Sequence, residues 1–170
     1  MARPPDHKMR NARHSLPIRR SLRLQGYDYC SSGAYFVTIC TVEKRPLFGT
    51  VRDGLVQLNE VGQIADSCWQ AIEHIRSGIT LESYIVMPNH VHGILLFHSE
   101  GAAGSLGAII GQYKSVVTKR SRLLPSPSSS HIWRRNYYDH IIRSAASLEK
   151  IRQYIVENPA RWADDDLYIG

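Results

Sequence analysis

Met87-Pro88-Asn89-His90-Val91-His92-Gly93-Ile94-Leu95-Leu96-Phe97 decides how this chain folds. The apolar run over 90–97 reads as a buried strand. Pro88-Asn89 suits the centre of a tight turn, because proline fixes φ and asparagine tolerates the bend. Residues 81–87 read as a preceding strand, so the two make a hairpin with His90 and His92 at its tip. Successive strand side chains alternate faces, which points both imidazoles one way and Val91 the other. Two imidazoles so placed can hold one metal ion. The plainer alternative is a pair of structural histidines at a strand end.

Upstream, residues 34–42 are rich in β-branched and aromatic side chains and read as a central strand with two apolar faces. Residues 43–54, with Pro46, Gly49, Asp53 and Gly54, read as a loop or short hairpin. Asn59 can cap a helix running to about Arg76, where Leu58, Val61, Ile64, Ala65, Cys68, Ile72 and Ile75 form one apolar face. Downstream, Ser105 can cap a second helix with Leu106, Ile109, Ile110, Tyr113, Val116, Val117 and Leu124 on one side. The other side carries Gln112, Lys114, Lys119, Arg120 and Arg122 and is either simply solvated or able to track a phosphate backbone. Residues 124–130 read as a flexible loop, and 131–143 as a short strand and turn. Arg134, Arg135, Tyr137 and Tyr138 there interleave charge with aromatic rings, a composition common in single-strand binding and equally able to complete a core. Ser147 is expected to cap a last helix over 148–158, stopped by Pro159. This order predicts an α+β sandwich of ferredoxin-like type, with a mainly antiparallel sheet, helices on one face and a C-terminal helix bearing Tyr154.

The 170 residues suffice for one core, and the net charge is +6. Seven basic residues against one acid lie between Met1 and Gln25, so that whole charge sits in the N-terminal segment. Residues 1–33 therefore read as a basic, flexible arm on a neutral domain spanning 34–170, and the arm suggests a polyanionic partner. Tyr27 and Tyr29 near its end are placed either to stack on bases or to pack the arm onto the domain. Cys30, Cys40 and Cys68 are odd in number and widely spaced, which indicates neither a zinc knuckle nor a disulfide framework. Reduced thiols imply a cytoplasmic protein. No secretory h-region or membrane-length apolar run is visible, and no membrane partner is expected.

On the last helix Tyr154 and Asn158 are spaced i, i+4 and share one side, beside the Leu148, Ile151 and Ile155 stripe that should face the sheet. A phenolate can be a covalent nucleophile. A divalent metal on His90 and His92, with the Asn158 oxygen as third ligand, can polarise a phosphodiester oxygen. Two imidazoles suit zinc or manganese; an amide oxygen with phosphate suits magnesium or manganese.

These residues carry a resemblance. The stretch 87–93 resembles the His-apolar-His core of single-tyrosine HUH transposases. Residues 133–143 and 154–159, together with 106–120, resemble the REP-associated tyrosine transposases, and the similarity spans about 35–162. The resemblance implies a metal-dependent nuclease that nicks and rejoins single-stranded DNA beside REP-like hairpins. The intermediate would be a 5′-phosphotyrosine, formed with Mg²⁺ or Mn²⁺, by a monomer or homodimer associated with the bacterial nucleoid. By the same resemblance His90 and His92 are metal ligands and Tyr154 is the nucleophile, with Tyr137, Tyr138 and His140 in reserve. Asn158 takes the place of a glutamine that supplies the third ligand in many relatives. Lys114, Lys119, Arg120, Arg134, Arg135, Tyr137 and Tyr138 are the expected nucleic-acid contacts, and a C-terminal recognition tail is expected to be absent or minimal. The competing readings are a non-catalytic single-strand or hairpin binder, and a metallohydrolase with a water nucleophile.

Overall fold

A computed structural model describes residues 28–98, 104–125 and 131–169; the basic stretch 1–25, Tyr27 and residues 126–130 of the expected loop lie outside them. Six strands and three helices run in the order β1 (Gly33–Cys40), β2 (Gly49–Arg52), β3 (Leu55–Leu58), α1 (Glu60–Ile75), β4 (Ile79–Met87), β5 (His90–Phe97), α2 (Leu106–Ser121), β6 (Tyr138–Ile142) and α3 (Ala145–Glu157). Four strands form one antiparallel sheet in the order β4-β5-β1-β6, and β2 and β3 form a separate hairpin. β1 and β4 run parallel with β5 between them, which is the ferredoxin-like arrangement expected from the element order.

The period-2 pattern of β1 and β5 divides the molecule in two. Tyr35, Val37 and Ile39, with Val91, Leu95 and Phe97, face α1 and α2 and form the main core. Phe36 and Ala34, with Ile94 and Leu96, face the other way and meet Leu148, Ile151 and Ile155 of α3. Thus two helices share one face, and the tyrosine-bearing helix lies on the opposite one. An Arg152–Glu82 ion pair ties α3 to β4 at its edge.

The caps act as the side chains require. Asn59 Oδ1 accepts the Gly62 amide at 2.9 Å and starts α1; Ser105 Oγ accepts the Ala108 amide at 3.2 Å and starts α2. The last helix begins earlier than expected. Ser144, not Ser147, is its cap, with Oγ taking the Ser147 amide at 3.2 Å, because Ala145-Ala146 extends the helix by favourable propensity. The β2–β3 turn is Asp53-Gly54, both at positive φ (53° and 71°), the combination a two-residue hairpin requires. Tyr29 is buried and donates from its hydroxyl to Asp139 at 2.6 Å, so this part of the arm packs on the domain. Among the described residues no helix is long and apolar enough to cross a membrane.

The α1 face differs from the expected stripe at two positions. Ile75 is exposed, while Trp69 is fully buried and lies across Gly93 of β5. A Cβ at Gly93 would fall inside contact distance of the Trp69 ring, so only glycine lets the indole sit flat on the sheet. Gly93→Ala is therefore expected to lower stability by about 1–3 kcal/mol through overpacking, read as a lower urea midpoint; an unchanged midpoint would mean that Trp69 has room to move.

Candidate active site and metal centre

β5 places His90 and His92 on the α3 face of the sheet, both buried, with ring centroids 4.3 Å apart. β1 backs them in register, Cys40 opposite His90 and Thr38 opposite His92. Phe36 stacks against His92 at 5.3 Å, and Trp162 lies 5.8 Å from His90.

The ring orientations follow from hydrogen bonds. Asn89 Nδ2 donates to the carbonyls of Lys44 (2.9 Å) and Leu167 (2.7 Å). Its Oδ1 is thereby left as the acceptor 2.8 Å from His90 Nδ1, which must carry the proton. Nε2 of His90 then holds the lone pair, as a metal-ligating imidazole does. His92 Nδ1 lies 2.9 Å from Thr38 Oγ1, which leaves its Nε2 facing the site.

α3 supplies the other wall. The Tyr154 hydroxyl lies 3.2 Å from His92 Nε2 and 3.3 Å from Asp165 Oδ2, and the residue is 42% exposed. One turn on, buried Asn158 donates from Nδ2 to Asp165 Oδ2 at 2.7 Å. A carboxylate only accepts, so the amide nitrogen must face Asp165 and Oδ1 faces away. Asn158 Oδ1 and His90 Nε2 are both buried without a hydrogen-bond partner among the described residues. A buried acceptor left unpaired costs about 1–3 kcal/mol, and a cation is one partner that satisfies such a group. The donor chemistry, two neutral imidazoles with a buried amide oxygen on the facing helix, fits a divalent cation. A carboxylate stands close by, since ligand atoms of His90, His92 and Asp165 lie within 4.8 Å of one another.

The electrostatics agree with that chemistry. Burial holds His90 down at about 3, and burial with the neighbouring His90 holds His92 well below its ordinary value, against the pull of Asp165. Both rings are neutral at physiological pH. Tyr154 is pushed up to about 12, by partial burial first and then by the charge and hydrogen bond of Asp165.

The sequence matches the IS200-like transposase family over residues 56–158, more than half of the chain. The chain belongs to the IS200-like transposase family. A protein of Haemophilus influenzae is 34% identical over 170 residues, 89% of this chain and 93% of that one, and has no assigned activity. The fold is that of a REP-associated tyrosine transposase solved bound to a REP hairpin, with a TM-score of 0.61 and 19% identity, over 80% of this chain and 72% of that one.

In this transposase the residues expected to touch nucleic acid separate into groups. Lys119 and Arg120 are exposed on α2, across the sheet from the histidines. Lys114 is tied to the chain: its ammonium donates to the carbonyls of Arg134 (2.7 Å) and Asn136 (2.8 Å), and burial lowers it to about 8. It anchors the 134–136 turn. Tyr137 packs toward the main core. Tyr138 is different, because its register partner Thr38 is also the partner of His92, which puts all three on one face. The Arg134 guanidinium lies 6.0 Å from the Tyr138 ring, Arg135 is exposed beside it, and His140 follows two residues along β6 on the same face.

Asn89, Thr38 and Asp165 are site residues that the pattern of the sequence did not single out. Asn89 was visible only as a turn residue. The run Asp164-Asp165-Asp166, beginning six residues after Asn158, was the available signal for Asp165.

A pH dependence follows from the buried pair. Below about pH 6.5 the unfolded chain takes up protons at His90 and His92 that the folded chain refuses, so stability is lost as pH falls through that value. Each histidine contributes at most about 1.4 kcal/mol per pH unit. Urea midpoints at pH 7.5 and 5.0 should fall accordingly, and much less in a His90→Gln, His92→Gln double variant.

Proposed function

We propose that this protein is a metal-dependent single-stranded DNA endonuclease and strand transferase that acts beside hairpins through a 5′-phosphotyrosine. The observation that carries the reading is the Tyr154 hydroxyl, 3.2 Å from one of two neutral imidazoles and on the same side as an unpaired Asn158 oxygen. A nucleophile beside a ready-made cation site is what phosphodiester transfer needs, and a protein that only binds DNA has no use for the set. The hairpin-bound state of the structural relative supports the substrate class.

In this reading Tyr154 Oη forms a bond to the phosphorus and the bond to the 3′ oxygen breaks. The 5′ phosphate stays on the tyrosine, and the 3′ end leaves as a hydroxyl after taking up a proton. The phenolic proton is lost as the new bond forms, and Asp165 Oδ2, at 3.3 Å, is an acceptor within reach. When bound, a divalent cation such as Mg²⁺ or Mn²⁺ polarises a non-bridging phosphate oxygen. Thr38 and Asn89 keep the two imidazoles aimed at it. The reverse reaction needs only an incoming 3′ hydroxyl, because the energy of the broken ester is kept in the phosphotyrosine. Exposed Arg134, Arg135 and Tyr138, on the β6 side, would hold the strand, with the Tyr138 ring as a stacking surface for a base.

A denaturing gel of the protein with labelled hairpin-bearing single strands should show a Mn²⁺-dependent covalent band. Tyr154→Phe should abolish the band and leave DNA affinity within about twofold; an adduct that survives in the Phe variant would assign the nucleophile elsewhere. Tyr138→Ala should weaken single-strand binding by about 1–3 kcal/mol while Tyr138→Phe retains it, measured by fluorescence anisotropy.

A further inference from the structure

After α3 the chain folds back across the site as a short strap, residues 162–169. The strap is held at several points. Lys44 Nζ donates to the Asp166 carbonyl at 2.7 Å, and Asn89 Nδ2 to the Leu167 carbonyl at 2.7 Å. The Leu167 amide donates to Asp165 Oδ1 at 2.7 Å, which orients that carboxylate from behind. Trp162 leans on the His90 ring, and Tyr168 packs edge-on against Trp162. Asn89 therefore fixes both His90 and the strap that carries Asp165.

The geometry points to Asp165 as a further ligand of the divalent cation, the anionic member of a His90, His92, Asn158 and Asp165 set, with the strap as a structural part of the metal centre. This inference rests on the proposed reading of the site as a cation centre. Three observations support it. The ligand atoms of His90, His92 and Asp165 lie within 4.8 Å of one another. Asp165 is half-buried and has no ion-pair partner among the described residues; the groups that reach its oxygens are neutral donors, the Leu167 amide, the Asn158 side-chain amide and the Tyr154 hydroxyl. Two more electron-pair donors of the same residue set, His90 Nε2 and Asn158 Oδ1, are buried without a hydrogen-bond partner among the described residues, and a cation is a partner that suits such groups. Three neutral ligands would leave the ion's full charge to the substrate phosphate alone. A carboxylate offsets part of it, and ligand charge is a principal determinant of affinity for hard cations.

The plain alternative is that Asp165 only positions Asn158, through the 2.7 Å bond from Nδ2. Asp165→Asn separates the two roles, because its amide oxygen can still accept from Asn158 while the charge is gone. The test is Mn²⁺ binding to the full chain without DNA, measured by loss of the free-ion electron paramagnetic resonance signal. Wild type should bind one ion, and His90→Ala should lose it. Asp165→Asn should bind about tenfold more weakly or worse, and Asp165→Glu should recover part of the loss. Asp166→Asn, one residue along, should bind as wild type does. Thermal melting without metal checks that each variant is folded, and Asp165→Ser serves if the asparagine variant is not. Wild-type affinity in a folded Asp165→Asn would overturn the assignment while leaving the His90–His92 centre and the nuclease reading intact. Wild-type affinity in His90→Ala, or no binding by wild type, would overturn both. An Asp165→Asn variant that loses Mn²⁺, in a protein that never forms the covalent adduct, would sustain the ligand and remove the nuclease.

Discussion

The side chain of Asn89 joins three parts of the molecule at one point. Its two amide protons are taken by carbonyls from the β1–β2 connection and from the C-terminal strap, and its oxygen faces His90. Because both donors are occupied, the amide has one orientation, and that orientation leaves His90 one tautomer. The backbone of the same residue is held too: its carbonyl accepts from the Thr41 amide at 2.8 Å and from the Thr41 hydroxyl at 3.0 Å. A buried polar network in which each member limits the next is rigid in a way that apolar packing alone is not. The hairpin tip is consequently a fixed platform and not a loose turn.

That platform needs a sheet with two differently made faces. On the α1–α2 side the strands present Tyr35, Val37, Ile39, Val91 and Leu95, all fully buried, and Trp69 lies flat on Gly93. On the α3 side the apolar contact is smaller, chiefly Ile94, Ile142 and Ile155, and the space beside it is given to histidines, tyrosine and amides. The stable half of the molecule holds the backbone of β1 and β5 still. The histidines, one residue apart on β5, inherit that rigidity through the strand and add to it their own contacts with Asn89, Thr38 and Phe36.

Most of the fold was legible because it rests on local rules. Strand alternation, the Pro88-Asn89 turn, the Asn59 and Ser105 caps, and the shared side of Tyr154 and Asn158 are all short-range patterns, and each is present in the structure. What the sequence concealed depends on long-range contact. Lys114 is indistinguishable in sequence from the solvated lysines of its helix, and only the return of the chain at 134–136 shows where its charge goes. Asp165 lies in a run of three aspartates that resembles any solvated acidic turn until the strap is seen to fold back. Asn89 was read correctly as a turn former, and that sufficient local reason hid a second, non-local one. The shift of the last cap from Ser147 to Ser144 is a smaller case, in which two serines three residues apart both satisfy the local rule and the alanines between them decide.

The two sides of the site differ in charge, and this has a consequence for how a polyanion can approach. The strap brings Asp164, Asp165 and Asp166 to one side, while Arg134 and Arg135 are exposed toward β6, with the Thr38–His92 row between. A phosphate backbone is repelled from the first side and attracted to the second. An acidic wall beside a phosphoryl-transfer site would be a defect if the protein bound DNA by charge alone. It is coherent if that wall attracts a cation first, because the cation then reverses the sign of the local field at the one place where a phosphate must come close. Tyr154 fits the same reasoning: burial first, and the Asp165 carboxylate second, favour its protonated phenol, and a cation beside Asp165 would offset the second of these and make the nucleophile easier to ionise.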